Sequence, residues 1–186
     1  MQISPGVIAA AIVGLLILWF IAVFNRLVRL RTRVRTAWSD IDVQLKLRSD
    51  LVPNLVESVR GYMAHERETL EALTRARTQA LSAGANVPAR AAAEFLLAGA
   101  IGNLFAVAER YPALRAVESV LLLQEQLTSA ENRIAYARQF YDDEVMKYNT
   151  WLSTFPHNLI ARGLGFAPAA MFAAKQADRV SPQVKL

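Results

Sequence analysis

From Gln2 to Asn25 the chain carries no charged side chain, and residues 5–24 read P-G-V-I-A-A-A-I-V-G-L-L-I-L-W-F-I-A-V-F. About 20 apolar residues in a helix suffice to cross the hydrocarbon core of a bilayer. Pro5 suits the first turn of such a helix, where no N–H is needed. Trp19, Phe20 and Phe24 gather toward one end, as in an interfacial aromatic belt. A cleavable leader would need a basic stretch before the run and a small-x-small site after it, and neither is present before Arg26. The run is therefore read as a membrane anchor over residues 1–25. Arg26, Arg29, Arg31, Arg33 and Arg35 follow it with no intervening acid, and no basic residue precedes it. The positive-inside rule then places the N-terminus outside and the rest of the chain in the cytoplasm.

The chain has 186 residues, room for one domain with a real core besides the anchor. The absence of cysteine excludes disulfides, thiolate metal sites and cysteine nucleophiles. The net charge of +5 is modest, and five arginines beside the apolar run account for it as a membrane-surface feature. No nucleic-acid partner is expected.

The body reads as helix throughout. Leu27, Leu30, Val34, Ala37 and Ile41 alternate at three and four residues, with Gln44 next in register; that is a coiled-coil-like seam continuing the membrane helix without a break. Ser49 and Asp50 offer N-cap oxygens, and Pro53 then falls in a first turn. A hairpin near residues 49–53 is thus expected, against the alternative of one helix kinked at Pro53. A second helix runs to about residue 81 and stops at S-A-G-A-N-V-P. A third spans about 88–110, and Tyr111-Pro112 interrupts it. A fourth, about 113–152, carries Val120, Leu127, Ile134, Tyr141 and Tyr148 on one heptad column and Gln124, Glu131, Arg138, Val145 and Leu152 on the next. The fold class expected is all-α: a transmembrane helix continuing into an elongated antiparallel four-helix bundle over residues 26–155. The fourth helix, ~60 Å against ~35 Å for the third, is expected to leave part of its apolar seam uncovered within one chain. Residues 156–186 form an apolar tail broken by Pro156, Gly163, Gly165 and Pro168, with a polar, frayed end. Its apolar part either lies at the headgroup level or packs on the bundle.

Motifs for chemistry are tested and fail. His65-Glu66-Arg67-Glu68-Thr69 lacks the second histidine of a zinc-protease helix. A di-iron bundle needs two Glu-x-x-His pairs, and neither His65 nor His157 follows a Glu by three. No glycine-rich phosphate loop, nucleophile elbow or dinucleotide fingerprint occurs. No catalytic, cofactor or metal residue is assigned. Polar residues on inner columns (Gln44, Asn54, Glu66, Gln124, Glu131, Arg138) suggest instead a network fixing helix register. Glu131 and Arg138 are each expected to find a partner on another helix, and Glu144 is assigned to the outer face.

The residues A-W-S-D-I-D-V-Q-L-K at 37–46 and D-L-V-P-N-L-V-E at 50–57, with His65-Glu66, Thr69-Leu70, F-A-V-A-E-R-Y-P at 105–112, E-N-R-I-A at 131–135, Ala137-Arg138, Phe140-Tyr141, Tyr148-Asn149, Phe155-Pro156 and Gly165-Phe166, resemble the LemA family of bacterial membrane-anchored helical proteins. Trp38, Asp42, Gln44, Asp50, Pro53, Asn54, Glu57, Glu131, Asn132, Arg138, Tyr141, Tyr148 and Asn149 carry that pattern. Asp142 departs from the Asn that usually follows the Tyr, and residues 117–120 lack the Asn-rich stretch. The resemblance implies a membrane helix, an antiparallel helical body and a bacterial inner-membrane location. It implies no reaction. Some members are linked to magnetosome membranes, which points to membrane organisation. The function expected is a non-enzymatic, self-associating scaffold that organises or shapes the membrane, with the lipid bilayer and further copies of the chain as partners. The alternative is a tethered adaptor that recruits another membrane protein.

Overall fold

The computed structural model describes residues 5–172, and all regular structure among them is helical. The order is α1 (Pro5–Arg60), α2 (Arg67–Ser82), α3 (Val87–Ala108), α4 (Pro112–Arg115), α5 (Glu118–Ser153) and α6 (His157–Gly163). The polar end expected to fray, residues 175–186, lies outside the described residues.

The hairpin expected at residues 49–53 is not formed. Helix α1 is unbroken for 56 residues with Pro53 inside it, and the chain reverses at 61–66 instead. Asp50 is therefore an exposed mid-helix residue and caps nothing, and the second helix begins at Arg67. The reason lies in burial. Ile41, Leu45, Arg48, Val52, Leu55 and Val59 are all buried, and they continue the three–four alternation straight through the proline. A proline inside a helix has no N–H for the carbonyl four residues earlier. Here that carbonyl belongs to Ser49, and Arg77 Nε of α2 donates to it at 2.8 Å. A facing helix thus supplies the donor that Pro53 lacks.

The chain divides into two compact units. One comprises Ser39–Asp142 with the segment from Ala170. Its core draws Val52, Leu55 and Val59 from α1, Leu73, Ala76 and Ala80 from α2, Leu97, Ile101, Leu104 and Ala108 from α3, Leu114 from α4, and Val120, Leu123 and Leu127 from α5. Met63, fully buried in the 61–66 turn, plugs the same core. Glu66 ends that turn and accepts hydrogen bonds from Tyr111 Oη and Arg110 Nη2, both at 3.0 Å, so two connections are tied together. That bond holds the Tyr111 phenol above its usual range, because ionising it would oppose the carboxylate. The α2–α3 turn uses Gly84 at φ 63°, and Asn86 Oδ1 accepts from Ala89 N as an N-cap. The fourth expected helix divides at residues 116–117 into the short α4 and the long α5.

The other unit comprises the chain up to Trp38 with Asp143–Ala169. Val23, Leu27, Leu30, Val34 and Ala37 of α1, Val145, Tyr148 and Leu152 of α5, and Ala161 of α6 are its buried apolar residues. The stripe expected to lie uncovered on α5 is covered: Ile134, Tyr141, Val145, Tyr148 and Leu152 are each buried within the single chain. The anchor run behaves oppositely. It has a mean hydropathy of 3.0 over its most apolar 18 residues, and Val7, Ile12, Leu15, Leu18 and Phe20 are exposed. Helix α3 is also apolar enough to span, but its inner face is buried against neighbours in the core described above.

Loss of the Arg77 side chain should leave the buried Ser49 carbonyl without a donor, a penalty of ~1–3 kcal/mol. Arg77→Met should therefore lower the melting temperature of the detergent-solubilised chain, followed by helical circular dichroism. In a Pro53→Ala background the new N–H can serve Ser49, so the same change should cost less. Asp50→Ala should stay within about 0.5 kcal/mol of the unaltered chain. Additive effects of Arg77→Met and Pro53→Ala would refute the coupling.

Candidate functional site

Two sets of polar contacts stand out, one around Arg48 and one along the chain that follows α6. The first surrounds Arg48, whose position on the α1 seam leaves its side chain 1% exposed. Its Nη2 donates to Glu94 Oε2 at 2.6 Å and to the Glu94 carbonyl at 3.0 Å, and its Nη1 donates to Glu131 Oε2. Glu94 is itself fully buried on α3 and lies 3.0 Å from Arg90 Nε, one turn away. Arg90 Nη2 reaches Asp42 Oδ1 of α1 at 3.3 Å. Three helices are thereby joined through alternating charges. Desolvating Arg48 and Glu94 is costly, and their close, hydrogen-bonded approach offsets that cost.

Arg138 stands nearby on α5. Burial pulls its guanidinium below its ordinary range, Glu131 opposes that shift, and Arg48 adds to it. Arg138 Cζ lies 4.8 Å from the centre of the Phe172 ring, a cation–π contact. A cleft of 270 Å³ opens beside the network, lined by Arg48, Ile101, Phe105, Leu127 and Glu131 among others. No described group of three or more His, Asp or Glu side chains has metal-binding geometry. Chemically the arrangement is a fixed, charge-compensated joint.

The second construction holds the chain that follows α6. In the unit containing the N-terminal apolar run, Tyr148 Oη donates to the Ala167 carbonyl at 3.1 Å. Asn149 makes a reciprocal pair with Ala169, Nδ2 donating to the carbonyl and Oδ1 accepting from the N–H, both at 2.9 Å. Burial raises the Tyr148 phenol, with Arg31 and Arg35 pulling the other way. In the other unit Tyr141 Oη donates to the Ala170 carbonyl at 2.7 Å, and Asp142 Oδ1 accepts from Phe172 N at 2.7 Å. Burial, reinforced by Asp142, raises the Tyr141 phenol. An Asn at 142 could accept the same bond through its own Oδ1.

Of the residues singled out in the sequence, Glu131 and Asp42 join the Arg48 network, and Tyr141, Tyr148 and Asn149 hold the tail. Trp38 and Gln44 are half-buried, while Asp50, Pro53, Asn54, Glu57 and Asn132 are exposed and gather at no common site. Arg26, Arg29, Arg31, Arg33 and Arg35 are exposed beside the anchor, and Arg31 lies over the Phe166 ring at 5.9 Å. Glu144, assigned to the outer face, is instead 4% exposed and accepts from Lys147 Nζ at 2.7 Å. It shares a heptad column with Leu123, Ala130 and Ala137, a third inner column of α5. Arg48, Arg90 and Glu94 were missed, although Arg90, Glu94, Leu97, Ile101, Leu104 and Ala108 keep one three–four seam along α3.

The burial pattern orders the expected losses. Arg48→Met strands a fully buried Glu94 carboxylate and should cost ~3–5 kcal/mol. Glu131 has a side chain 47% exposed, so Glu131→Ala should cost about 1 kcal/mol or less. Combining Arg48→Met with Glu94→Leu should recover much of the first loss. Thermal or denaturant melts of the four proteins in one detergent would test this, and equal effects for Arg48→Met and Glu131→Ala would contradict it.

Comparison with known proteins gives one family. The model of the LemA family matches residues 37–186. Among curated proteins, magnetosome protein MamQ 1 and MamQ 2 of Paramagnetospirillum magneticum are each 26% identical over 189 residues, covering 87% of this chain and 70% of theirs. Protein LemA of Metamycoplasma hominis is 24% identical over 168 residues, covering 90% of this chain and 77% of its own.

Proposed function

The chain belongs to the LemA family, and on that footing we propose that it is a non-enzymatic, membrane-anchored scaffold that self-associates to organise or shape the bacterial inner membrane. Membrane attachment rests on the exposed apolar run of α1 and on the likeness to magnetosome proteins. The arginines from Arg26 to Arg35 favour a cytoplasmic body with the N-terminus outside. A fusion after Leu186 to a reporter active only in the cytoplasm should then be active. Activity of a reporter that works only in the periplasm would reverse the assignment.

Self-association is supported by one face of the unit built on Ser39–Asp142. Two adjoining grooves there share Arg133; one takes in Val43, Tyr136 and Asp40, the other Leu47, Leu122 and Glu125. Val43, Leu47, Leu122 and Tyr136 are exposed, Tyr136 to 75%. An apolar strip edged by both signs of charge suits a two-fold contact, in which Arg133 of one copy can meet an acid of the other. Parallel anchors in one bilayer would raise the effective concentration, and Ala9, Ala10, Ala11 and Gly14 permit close helix approach. The adaptor reading is favoured instead by a 580 Å³ groove lined by Val56, Met63 and Leu70 and rimmed by Arg60, Arg67 and Arg75.

Mass measurement of the full chain in nanodiscs or detergent should find a multiple of one chain. Val43→Glu with Tyr136→Glu should weaken association about tenfold or more, equivalent to ~1.4 kcal/mol. A unit mass for the unaltered chain at high concentration would sink the scaffold reading.

A further inference from the structure

We infer that α6 and its flanking residues form a second membrane-contacting element, a foot embedded at the headgroup–acyl boundary beside the anchor. The sequence left two placements for this stretch, on lipid or on the protein. The structure divides the residues between them. Ala161 is buried and Phe166 is half-buried, whereas Phe155, Leu159 and Leu164 point outward, 75%, 63% and 45% exposed.

The depth of the foot follows from its contacts. The His157 ring stacks on Trp151 at 3.8 Å and faces Trp19 at 6.4 Å. The Phe166 ring meets Phe24 edge-on at 6.2 Å. Trp19 and Phe24 both belong to the uncharged run and are only about 7–8 Å apart along the helix axis. Residues 157–166 therefore lie beside the last turns of the run, and a bilayer that accommodates the run extends to their level. Tryptophan and imidazole rings, apolar in body and polar at the edge, suit that boundary. Arg31, over Phe166, and exposed Arg162 supply cations where lipid phosphates lie.

The occupant of the outward face is lipid because the face is continuous with the anchor's own lipid-facing surface. Phe155, Leu159 and Leu164 would add apolar area to a contact the anchor already makes, as an interfacial amphipathic segment does. This inference rests on the anchor spanning a membrane, and it is independent of self-association.

The chain has no cysteine, so single labels are straightforward. Phe155→Cys and Leu159→Cys would each carry a fluorophore in the full chain, reconstituted in phosphatidylcholine–phosphatidylglycerol vesicles. Leu15→Cys serves as the embedded reference and Gln79→Cys, outside the grooves described above, as the aqueous one. Both positions are surface-exposed, and helical circular dichroism verifies each variant. Labels at 155 and 159 should be quenched by lipids with a nitroxide near the headgroup. Their quenching by aqueous iodide should be about fivefold weaker than at 79. Iodide quenching equal to that at 79, with the label at 15 quenched by lipid, would overturn the foot and leave the scaffold untouched. Protection from iodide without lipid quenching, lost on dilution into excess lipid, would assign the face to a second copy and also overturn it. A label at 15 unquenched by lipid would remove the anchor and the foot together.

Discussion

A carbonyl buried without a donor is a defect few cores tolerate, and Pro53 creates one in the middle of α1. The bond from Arg77 to Ser49 removes that defect. The helix runs on unbroken, and the residues beyond the proline stay in register with those before it. The buried positions of Arg48, Val52, Leu55 and Val59 all depend on that register. So does the turn at 61–66, from which Met63 enters the core and Glu66 reaches Tyr111. The buried seam and this hydrogen bond from a neighbouring helix together favour the continuous helix over a hairpin made twelve residues earlier.

The ion-pair network has a related logic. Apolar seams determine which face of a helix is buried but discriminate poorly among shifts along its axis. Arg48, held by a carboxylate from α3 and another from α5, is satisfied in one alignment. Any slide strands a charge in a low-dielectric interior, where the penalty is several kcal/mol. The network therefore penalises misalignment more than it adds to net stability.

The all-α class, the long apolar N-terminal helix and the stops at Gly84, Asn86 and Tyr111-Pro112 were legible because periodicity and turn chemistry are local. Glu131 was recognised as a residue needing a partner on another helix, but the partner was not. Arg48 is masked because Ser49 and Asp50 beside it have the chemistry of a helix start, while the seam runs on at three–four spacing from Leu45 to Val59. Glu94 escaped because alanines surround it and hide the periodicity of α3. Arg77 could not have been found by pattern at all: its role is to complete a hydrogen bond on a different helix, and that relation exists only in three dimensions. The cover over Tyr141, Tyr148 and Leu152 was likewise invisible, since the expected shortfall assumed that only the other bundle helices could supply it.

Four α5 side chains hold the tail by its main chain. Tyr148 and Asn149 bond to the backbone at Ala167 and Ala169, and Tyr141 and Asp142 do so at Ala170 and Phe172. Amide and carbonyl groups are common to every residue type except proline, which lacks the N–H. The identity of the tail is therefore almost unspecified by these bonds: at 167 and 170 only a carbonyl is read, and at 169 any residue but proline would serve. Drift in sequence at those three positions leaves the grip intact without the four α5 side chains having to change, whereas Phe166 and Phe172 are held by their rings.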